Sequence, residues 1–159
     1  MTRLRGRAHR GQRCVDDAPN GRWSTTTMIS SIRQDGTTAC LAIEGATNGE
    51  VFEAYAREIL NPTLRPGDIV IMDNLSAHKR QAAIDLIEST GARVRFLPPY
   101  SPDLNPIEKM WSKVKEFLRA AKARTQELLY DAIANALKTV TPEDAIGWFE
   151  SCGYATVKN

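Results

Sequence analysis

Residues 68–79 read D-I-V-I-M-D-N-L-S-A-H-K and contain the short apolar run that decides the fold. Turn residues bound this run, Ile69–Met72, and Asp73 and Asn74 follow it directly. A short apolar run of this kind is typical of a buried parallel strand. Ligands of α/β proteins usually bind beyond the carboxyl ends of such strands. We therefore expect Asp73 to lie at a functional edge of a sheet.

A second stretch, residues 96–111, reads F-L-P-P-Y-S-P-D-L-N-P-I-E-K-M-W and joins a proline-rich loop to an amphipathic helix. Asn105 is placed as a cap, Pro106 as the first helical residue and Glu108 as the third, which resembles a capping box. On a helical wheel Glu108 lies about 60° from Trp111, at the margin of the apolar face. The residues leave two roles open for Glu108, a structural cap or a metal ligand.

Asp73 also has a structural alternative, because an Asp-Asn pair after a strand commonly forms an Asx turn or caps the next helix. The two acids are 108 − 73 = 35 positions apart, a separation that spans one helix, one strand and one loop. Such a unit can return the chain to the same end of a sheet. Mg²⁺ usually takes one or two carboxylates and completes its shell with water and phosphate. Together, Asp73 and Glu108 predict a divalent-metal site.

The remaining pattern predicts an α/β fold. A Gln34-Asp35-Gly36 turn should join a hairpin, and the order strand, helix, strand from Ile69 to Leu97 implies parallel pairing with a crossover helix. The expected strands are 24–33, 38–44, one ending at 73, and 92–97; the expected helices are 50–60, 76–89, 107–122, 125–140 and 142–151, the last capped by Thr141. We expect a mixed sheet with flanking helices and a helical C-terminal tail.

A basic arm, residues 1–22, precedes the single domain that we predict for residues 23–159. Such arms often bind nucleic acid, although many are simply solvated. Non-specific, salt-dependent phosphate contacts are expected from Arg3, Arg5, Arg7, Arg10 and Arg13, from Lys79 and Arg80, and from Lys109, Lys113 and Lys115. For the three helix lysines an ordinary solvated helix face is an equal alternative. Asn74 and His78 are candidate substrate contacts, His78 alternatively an ordinary surface residue.

The composition is that of an ordinary globular chain of 159 residues, with a net charge of only +2. Cys14, Cys40 and Cys152 are odd in number and lack metal-ligand spacing, which favours free thiols in a reducing cytoplasm. No apolar run approaches the ~18 residues of a membrane span. A cytoplasmic protein without a membrane partner is expected.

The two quoted stretches together resemble the mariner-like DDE transposases of bacterial insertion sequences. The likeness extends to R-L-R-G-R-A-H-R-G-Q-R, R-W-S-T-T-T and the closing C-G-Y. The resemblance implies a ribonuclease H-like fold of the retroviral integrase type, cleavage at transposon ends and strand transfer into target DNA. It also implies that Asp73 and Glu108 are the second and third acids of a catalytic triad. Both would bind a pair of Mg²⁺ or Mn²⁺ ions.

The sequence departs from that family at its start. The family's first catalytic Asp lies on a first strand upstream of the segment that matches Met1–Arg3, and a helix-turn-helix region lies further upstream. Asp16 and Asp17 fall beyond that position and are not assigned to the triad. We therefore expect a partial domain without its first strand, a two-metal site complete only in a longer enzyme, and little cleavage by this chain alone.

The partners implied are double-stranded DNA, as inverted repeats and target, and either a second copy or a full-length transposase. A catalytically dead product that binds DNA or dimerises, and so regulates the full transposase, is the alternative. A pseudogene remnant is a further one.

Overall fold

The computed structural model describes residues 6–15 and 25–155. The described residues fall into two compact units, Ser24–Met110 with Val140–Asn159, and Met1–Trp23 with Trp111–Thr139. The strands are β1 Thr26–Ile32, β2 Thr38–Glu44, β3 Ile69–Met72 and β4 Arg93–Phe96. The helices are α1 Gly49–Tyr55, α2 Gln81–Glu88, α3 Pro106–Ala121, α4 Gln126–Lys138 and α5 Pro142–Ser151. The division into an arm at 1–22 and a domain at 23–159 stays a prediction.

The predicted hairpin is confirmed. Strand β1 pairs antiparallel with β2 from Thr26↔Glu44 to Ile32↔Thr38. In the turn, Asp35 Oδ1 accepts a hydrogen bond of 2.9 Å from the Thr37 amide, and Gly36 has a φ of +83°, which favours glycine. The hydrogen bond donated by the Thr37 backbone amide holds the pKa of Asp35 below its usual value. Local turn chemistry therefore sets the register of this hairpin.

The predicted parallel pairing is also confirmed, since β3 pairs with β4 from Ile69↔Arg93 to Met72↔Phe96. The expected burial of β3 is only partly right. Met72 is buried, whereas Ile69 is 62% exposed. The reason is that β3 has one hydrogen-bonded neighbour among the described strands, so part of its length is left uncovered.

The expected single mixed sheet is replaced by two sheets of two strands each, β1–β2 and β3–β4. Both kinds of pairing are present, but within residues 25–155 no strand bonds to both pairs. A sheet continues only where neighbouring strands come within about 4.8 Å, and β1 and β3 are not joined in this way.

One hydrophobic core nevertheless covers both sheets. Helix α1 and the turn after it supply Phe52, Tyr55, Ala56 and Leu60; the segments from β3 to β4 supply Met72, Ala83, Ile87, Ala92 and Val94. From the hairpin, Ile29 and Leu41 pack against this cluster. The Tyr55 hydroxyl donates a hydrogen bond of 2.9 Å to the Ala39 carbonyl, and burial raises the pKa of Tyr55 to about 12.

Two predicted helices are wound differently from the expectation. The helix expected at 76–89 is a 3-10 turn, Ser76–Lys79, followed by α2. Arg80 separates them with φ −67° and ψ 121°, angles that lie outside those of α-helices and 3-10 helices. Beyond α1, the predicted helix at 50–60 continues as a π-helical turn, Ala56–Leu60, and a 3-10 turn, Asn61–Thr63.

The three C-terminal helices follow the prediction to within two residues at each end. In α3, Met110, Val114 and Leu118 are buried at intervals of four, as an amphipathic helix requires. The Thr125 side chain caps α4. Thr141 and Asp144 form a capping box at the start of α5. Among the described helices, none is long and apolar enough to cross a membrane.

An ion pair connects the end of β1 with the start of β3. Both terminal nitrogens of Arg33 bond to the Asp68 carboxylate, at 2.7 and 3.1 Å, and the two side chains are 24% and 23% exposed. One of these nitrogens also donates to the Thr63 carbonyl at 3.3 Å. The hydrogen bond from Arg33 lowers the pKa of Asp68. A bidentate, largely buried pair of this kind is geometrically specific.

Replacing the carboxylate with an amide, Asp68→Asn, should lower the stability at pH 7 by about 1 kcal/mol, a decrease of about 2–4 °C in Tm for a chain of this size. Because the folded pKa of Asp68 is depressed, its contribution is complete above the unfolded value of about 3.9 and is lost as the pH falls below that. Thermal melts at several pH values measure this. The wild-type advantage should persist to about pH 4 and disappear in stronger acid. Asp103→Asn, which replaces an exposed aspartate, is the control. If it lowers the Tm as much as Asp68→Asn does, and if the difference from the wild type does not change with pH, the assignment is contradicted.

Candidate active site

Asp73 directly follows β3 and is held by the backbone geometry at the end of the β3–β4 pair. The Leu97 amide donates to the Met72 carbonyl at 2.8 Å, which extends the pairing by one residue. The Asn74 side-chain amide donates to the Leu97 carbonyl. These contacts join the carboxyl ends of the two strands just where Asp73 leaves the sheet. The side chain of Asp73 is 52% exposed.

One carboxylate oxygen of Asp73 has a structural role. Its Oδ1 accepts a hydrogen bond of 3.0 Å from the Leu75 amide, which forms the Asx turn that the sequence left open. Among the described residues, Oδ2 has no hydrogen-bond partner. The Asx turn and a ligand role are therefore compatible, because they use different oxygens.

His78 lies against Asp73. The 3-10 turn Ser76–Lys79 brings its Nδ1 to 2.7 Å from Asp73 Oδ1. The imidazole ring also packs on Phe52, with the ring centroids 4.4 Å apart and the planes at 45°. His78 is only 20% exposed, so it holds Oδ1 in place from a position anchored on the core. Its predicted contact with substrate stays a prediction.

Glu108 lies in the first turn of α3, in the same compact unit as Asp73. Its amide donates to the Asn105 carbonyl at 3.1 Å, and Asn105 has an extended backbone, φ −107° and ψ 103°. This is the geometry of a residue that precedes a helix. The Glu108 residue is exposed, as a ligand to an incoming ion would be.

The metal site predicted from these acids stays a prediction. No group of three or more His, Cys, Asp or Glu side chains that could hold a metal ion occurs within residues 6–15 and 25–155. Asp73 Oδ2 and the Glu108 carboxylate are hard oxygen donors of the type that Mg²⁺ prefers. Both acids are thus of the right chemistry for the predicted ions.

The predicted DNA-binding cations occupy different environments. Arg3 and Arg5 lie outside the described residues, while Arg7, Arg10, Arg13, Lys79, Arg80, Lys109 and Lys115 are exposed. Lys113 is partly buried, and its ammonium group donates to the Thr139 carbonyl at 2.7 Å. This hydrogen bond supports a structural role for Lys113, and its predicted phosphate contact stays a prediction.

Tyr100 was not singled out from the sequence. It is fully exposed on the loop between β4 and α3, and its φ of +57° is uncommon for a residue with a side chain. Exposed aromatic rings stack on nucleic-acid bases in many proteins. In the sequence, the feature that could have indicated Tyr100 as a functional residue is its position in the proline-rich stretch between Asp73 and Glu108.

Comparison with known families identifies the chain. The family model for the DDE superfamily endonucleases matches residues 1–130. The chain belongs to the DDE superfamily endonucleases. Asp73 and Glu108 both lie within the matched region, and the resemblance to DDE transposases is confirmed at the level of this family.

Among solved structures, the chain is similar to the Mos1 mariner paired-end complex with Mn, with 21% sequence identity and a TM-score of 0.45. The match covers 98% of this chain and 52% of that chain. The chain therefore spans about half the length of the structure that it matches. No curated protein matches it.

The contact between His78 and Asp73 should be measurable as a coupling energy. We expect His78→Phe, which keeps an aromatic ring against Phe52 but removes Nδ1, to cost about 1 kcal/mol of unfolding free energy. His78→Ala should cost more, because it also removes the ring packing. A double-mutant cycle with Asp73→Asn, by urea denaturation, should give a coupling of about 0.5–1.5 kcal/mol. Fully additive effects would show that the two side chains act independently.

Proposed function

We propose that this chain is part of a DDE transposase, an enzyme that cleaves DNA at transposon ends and transfers the freed strand into target DNA. The family match that spans both acids carries the proposal. The position of Asp73 supports it, since a half-exposed carboxylate at the carboxyl end of a parallel strand is where α/β proteins usually bind ligands.

In this proposal Asp73 and Glu108 are two ligands of an Mg²⁺ or Mn²⁺ pair. Two such ions, when bound, activate the attacking oxygen and stabilise the leaving oxygen of a phosphoryl transfer. Asp73 would use Oδ2 as the ligand, while His78 and the Leu75 amide hold Oδ1. Asn74 keeps the strand ends together beneath this carboxylate. Since no cluster of three possible metal ligands occurs among the described residues, the proposal requires a further carboxylate from outside them.

A ribonuclease H-like sheet is part of the same proposal. The antiparallel pair β1–β2 and the parallel pair β3–β4 are both expected in such a sheet. One additional strand between β1 and β3 would join them into a single mixed sheet. The shared core and the ion pair between Arg33 and Asp68 already keep the two pairs close together.

The partners that we propose are double-stranded DNA, as inverted repeats and target, and either a second copy of the chain or a full-length transposase. Insertion-sequence origin and a cytoplasmic location belong to this proposal. The exposed cations Lys79, Arg80, Lys109 and Lys115 are suited to phosphate contacts, which carry most of the non-specific affinity for DNA.

A catalytically dead protein that binds DNA or dimerises with the full enzyme is the second candidate. The exposed cations of the described residues favour it, because they can contact DNA phosphates without any cleavage. The two candidates differ in one measurable property, the recovery of cleavage when the missing donor is supplied. A pseudogene remnant would instead show a broad, non-cooperative thermal melt.

Supplying an upstream polypeptide in trans tests the leading proposal. The nucleotides before the Met1 codon are sequenced first, and any strand ending in Asp that they encode is co-expressed with this chain. We expect no nicking of transposon-end DNA by the chain alone, weak Mn²⁺ binding, and Mn²⁺-dependent nicking in the presence of the upstream segment. Asp73→Asn or Glu108→Gln should then reduce nicking about a thousand-fold or more.

The matched control is Glu58→Gln, which removes an exposed carboxylate from the turn after α1 and should leave nicking unchanged. Strong Mn²⁺-dependent nicking by the chain alone, abolished in Asp73→Asn, would show that the site is complete without an added donor. DNA binding without nicking, even with the upstream segment present, would favour the binding-only candidate.

A further inference from the structure

A surface depression of about 580 Å³ lies between the turn that precedes α1 and the segment that follows Asp73. It belongs entirely to the unit that contains residues 24–110. The residues that matter in its lining are Thr47, Gly49, Ser76, Lys79 and Arg80. The lining carries two cations and no acid, so the depression favours an anionic ligand.

The two cations of the lining are at most partly neutralised. Among the described residues Lys79 has no ion pair, and Arg80 has one, from its Nε to Glu53 Oε2 at 3.3 Å. Glu53 also pairs with Arg57 at 3.0 Å, so its single negative charge is shared by two arginines. Glu53 therefore does not fully offset the positive charge of Arg80, and Lys79 is not offset by it at all.

Gly49 allows Arg80 to lie close to the backbone at the start of α1. A Cβ atom at position 49 would lie 3.0 Å from Arg80 Cδ and 3.1 Å from one of its terminal nitrogens. The glycine thus makes room for the arginine side chain at the edge of the depression. The Asn48 side chain already accepts from the Glu50 and Val51 amides, so ligand donors would be side chains rather than these amides.

Thr47 adds an unusual donor. Its hydroxyl oxygen is buried, and in the described part of the chain it has no hydrogen-bond partner. A buried polar group without a partner is destabilising. Once the Thr47 side chain rotates toward the depression, a ligand with acceptor oxygens would satisfy this hydroxyl and would at the same time neutralise Lys79 and Arg80.

We propose that this depression is a phosphate-binding site, formed by the Thr47 hydroxyl, Lys79 and Arg80. Tetrahedral anions with several acceptor oxygens match a hydroxyl and two cations. The source of the phosphate is the backbone of DNA, an assignment that rests on the proposed function. Lys79 directly follows His78, which contacts Asp73 at 2.7 Å, so a strand held by Lys79 would be anchored near the acid.

Binding to a duplex of about 20 base pairs, measured by fluorescence anisotropy with EDTA present, tests the site without requiring cleavage. The double variant Lys79→Gln/Arg80→Gln should bind about ten-fold more weakly, as expected when hydrogen bonds between charged groups are removed. The slope of log affinity against log salt should fall by about 0.9 for each phosphate that the variant no longer neutralises. The control Arg93→Gln/Lys138→Gln removes two exposed cations elsewhere. Equal weakening by both double variants would overturn the proposal, because net charge alone would then explain the effect.

Thr47→Val separates a binding role from a structural one. Replacing a buried, unpartnered hydroxyl with a methyl group should leave the Tm unchanged or raise it, while DNA binding becomes several-fold weaker. These opposite signs are not expected for a residue that only supports the fold. Unchanged DNA and phosphate binding in Thr47→Val, or weaker binding accompanied by a lower Tm, would overturn the role of Thr47.

Inorganic phosphate distinguishes the two sources of the ligand. At constant ionic strength, with chloride as the reference, phosphate should raise the Tm of the wild type but not that of Thr47→Val or Lys79→Gln/Arg80→Gln. If phosphate raises the Tm of the wild type and the variants bind DNA more weakly, the DNA backbone is the natural ligand. If phosphate raises the Tm of the wild type but the variants bind DNA as tightly as the wild type, the site takes a free phosphate or nucleotide.

If the variants differ from the wild type in neither measurement, the proposal fails. Because EDTA excludes cleavage, failure here leaves the proposed transposase activity untouched, and failure of nicking leaves this site untouched.

Discussion

The hydrophobic core around Phe52 and Tyr55 is the constraint on which this structure depends. A sheet of two strands is marginally stable by itself, and the described part of the chain contains two such sheets. Both are stabilised because α1 packs its buried side chains against the hairpin and the parallel pair together. The Tyr55 hydroxyl adds a direct bond to β2. Without this shared core, neither pair of strands would have a surface on which to fold.

The same core reaches the candidate active site through one side chain. Phe52 belongs to the core, its ring contacts His78, and His78 holds one oxygen of Asp73. The position of the acid is therefore linked to the packing of the domain rather than to loop geometry alone. A carboxylate held in this way has little conformational freedom left to lose on binding.

The structural and functional interpretations of Asp73 turn out to be compatible. Its Oδ1 forms an Asx turn and bonds to His78, while Oδ2 has no hydrogen-bond partner in the described part of the chain. From sequence alone the two interpretations competed, because the pattern Asp-Asn after a strand does not show which oxygen is used. For Glu108 the extended backbone of Asn105 agrees with the predicted start of the helix, and both of its roles stay open.

The sequence by itself determined the features that depend on neighbouring residues. These include the turn at Asp35-Gly36, the helix cap at Thr141 and the parallel strand that precedes Asp73. Periodicity and capping are local, so they are visible in a linear pattern. The motifs at Asp73 and Glu108 also led to the family.

Tertiary structure alone decided the division into two sheets, the break at Arg80, the contact of His78 with Asp73, and the meeting of Thr47 with Lys79 and Arg80. The physical reason is that most of these features depend on which segments distant in sequence come together. Burial, an unpartnered hydroxyl and an unpaired strand edge are properties of the packed chain, and no spacing of residue types encodes them.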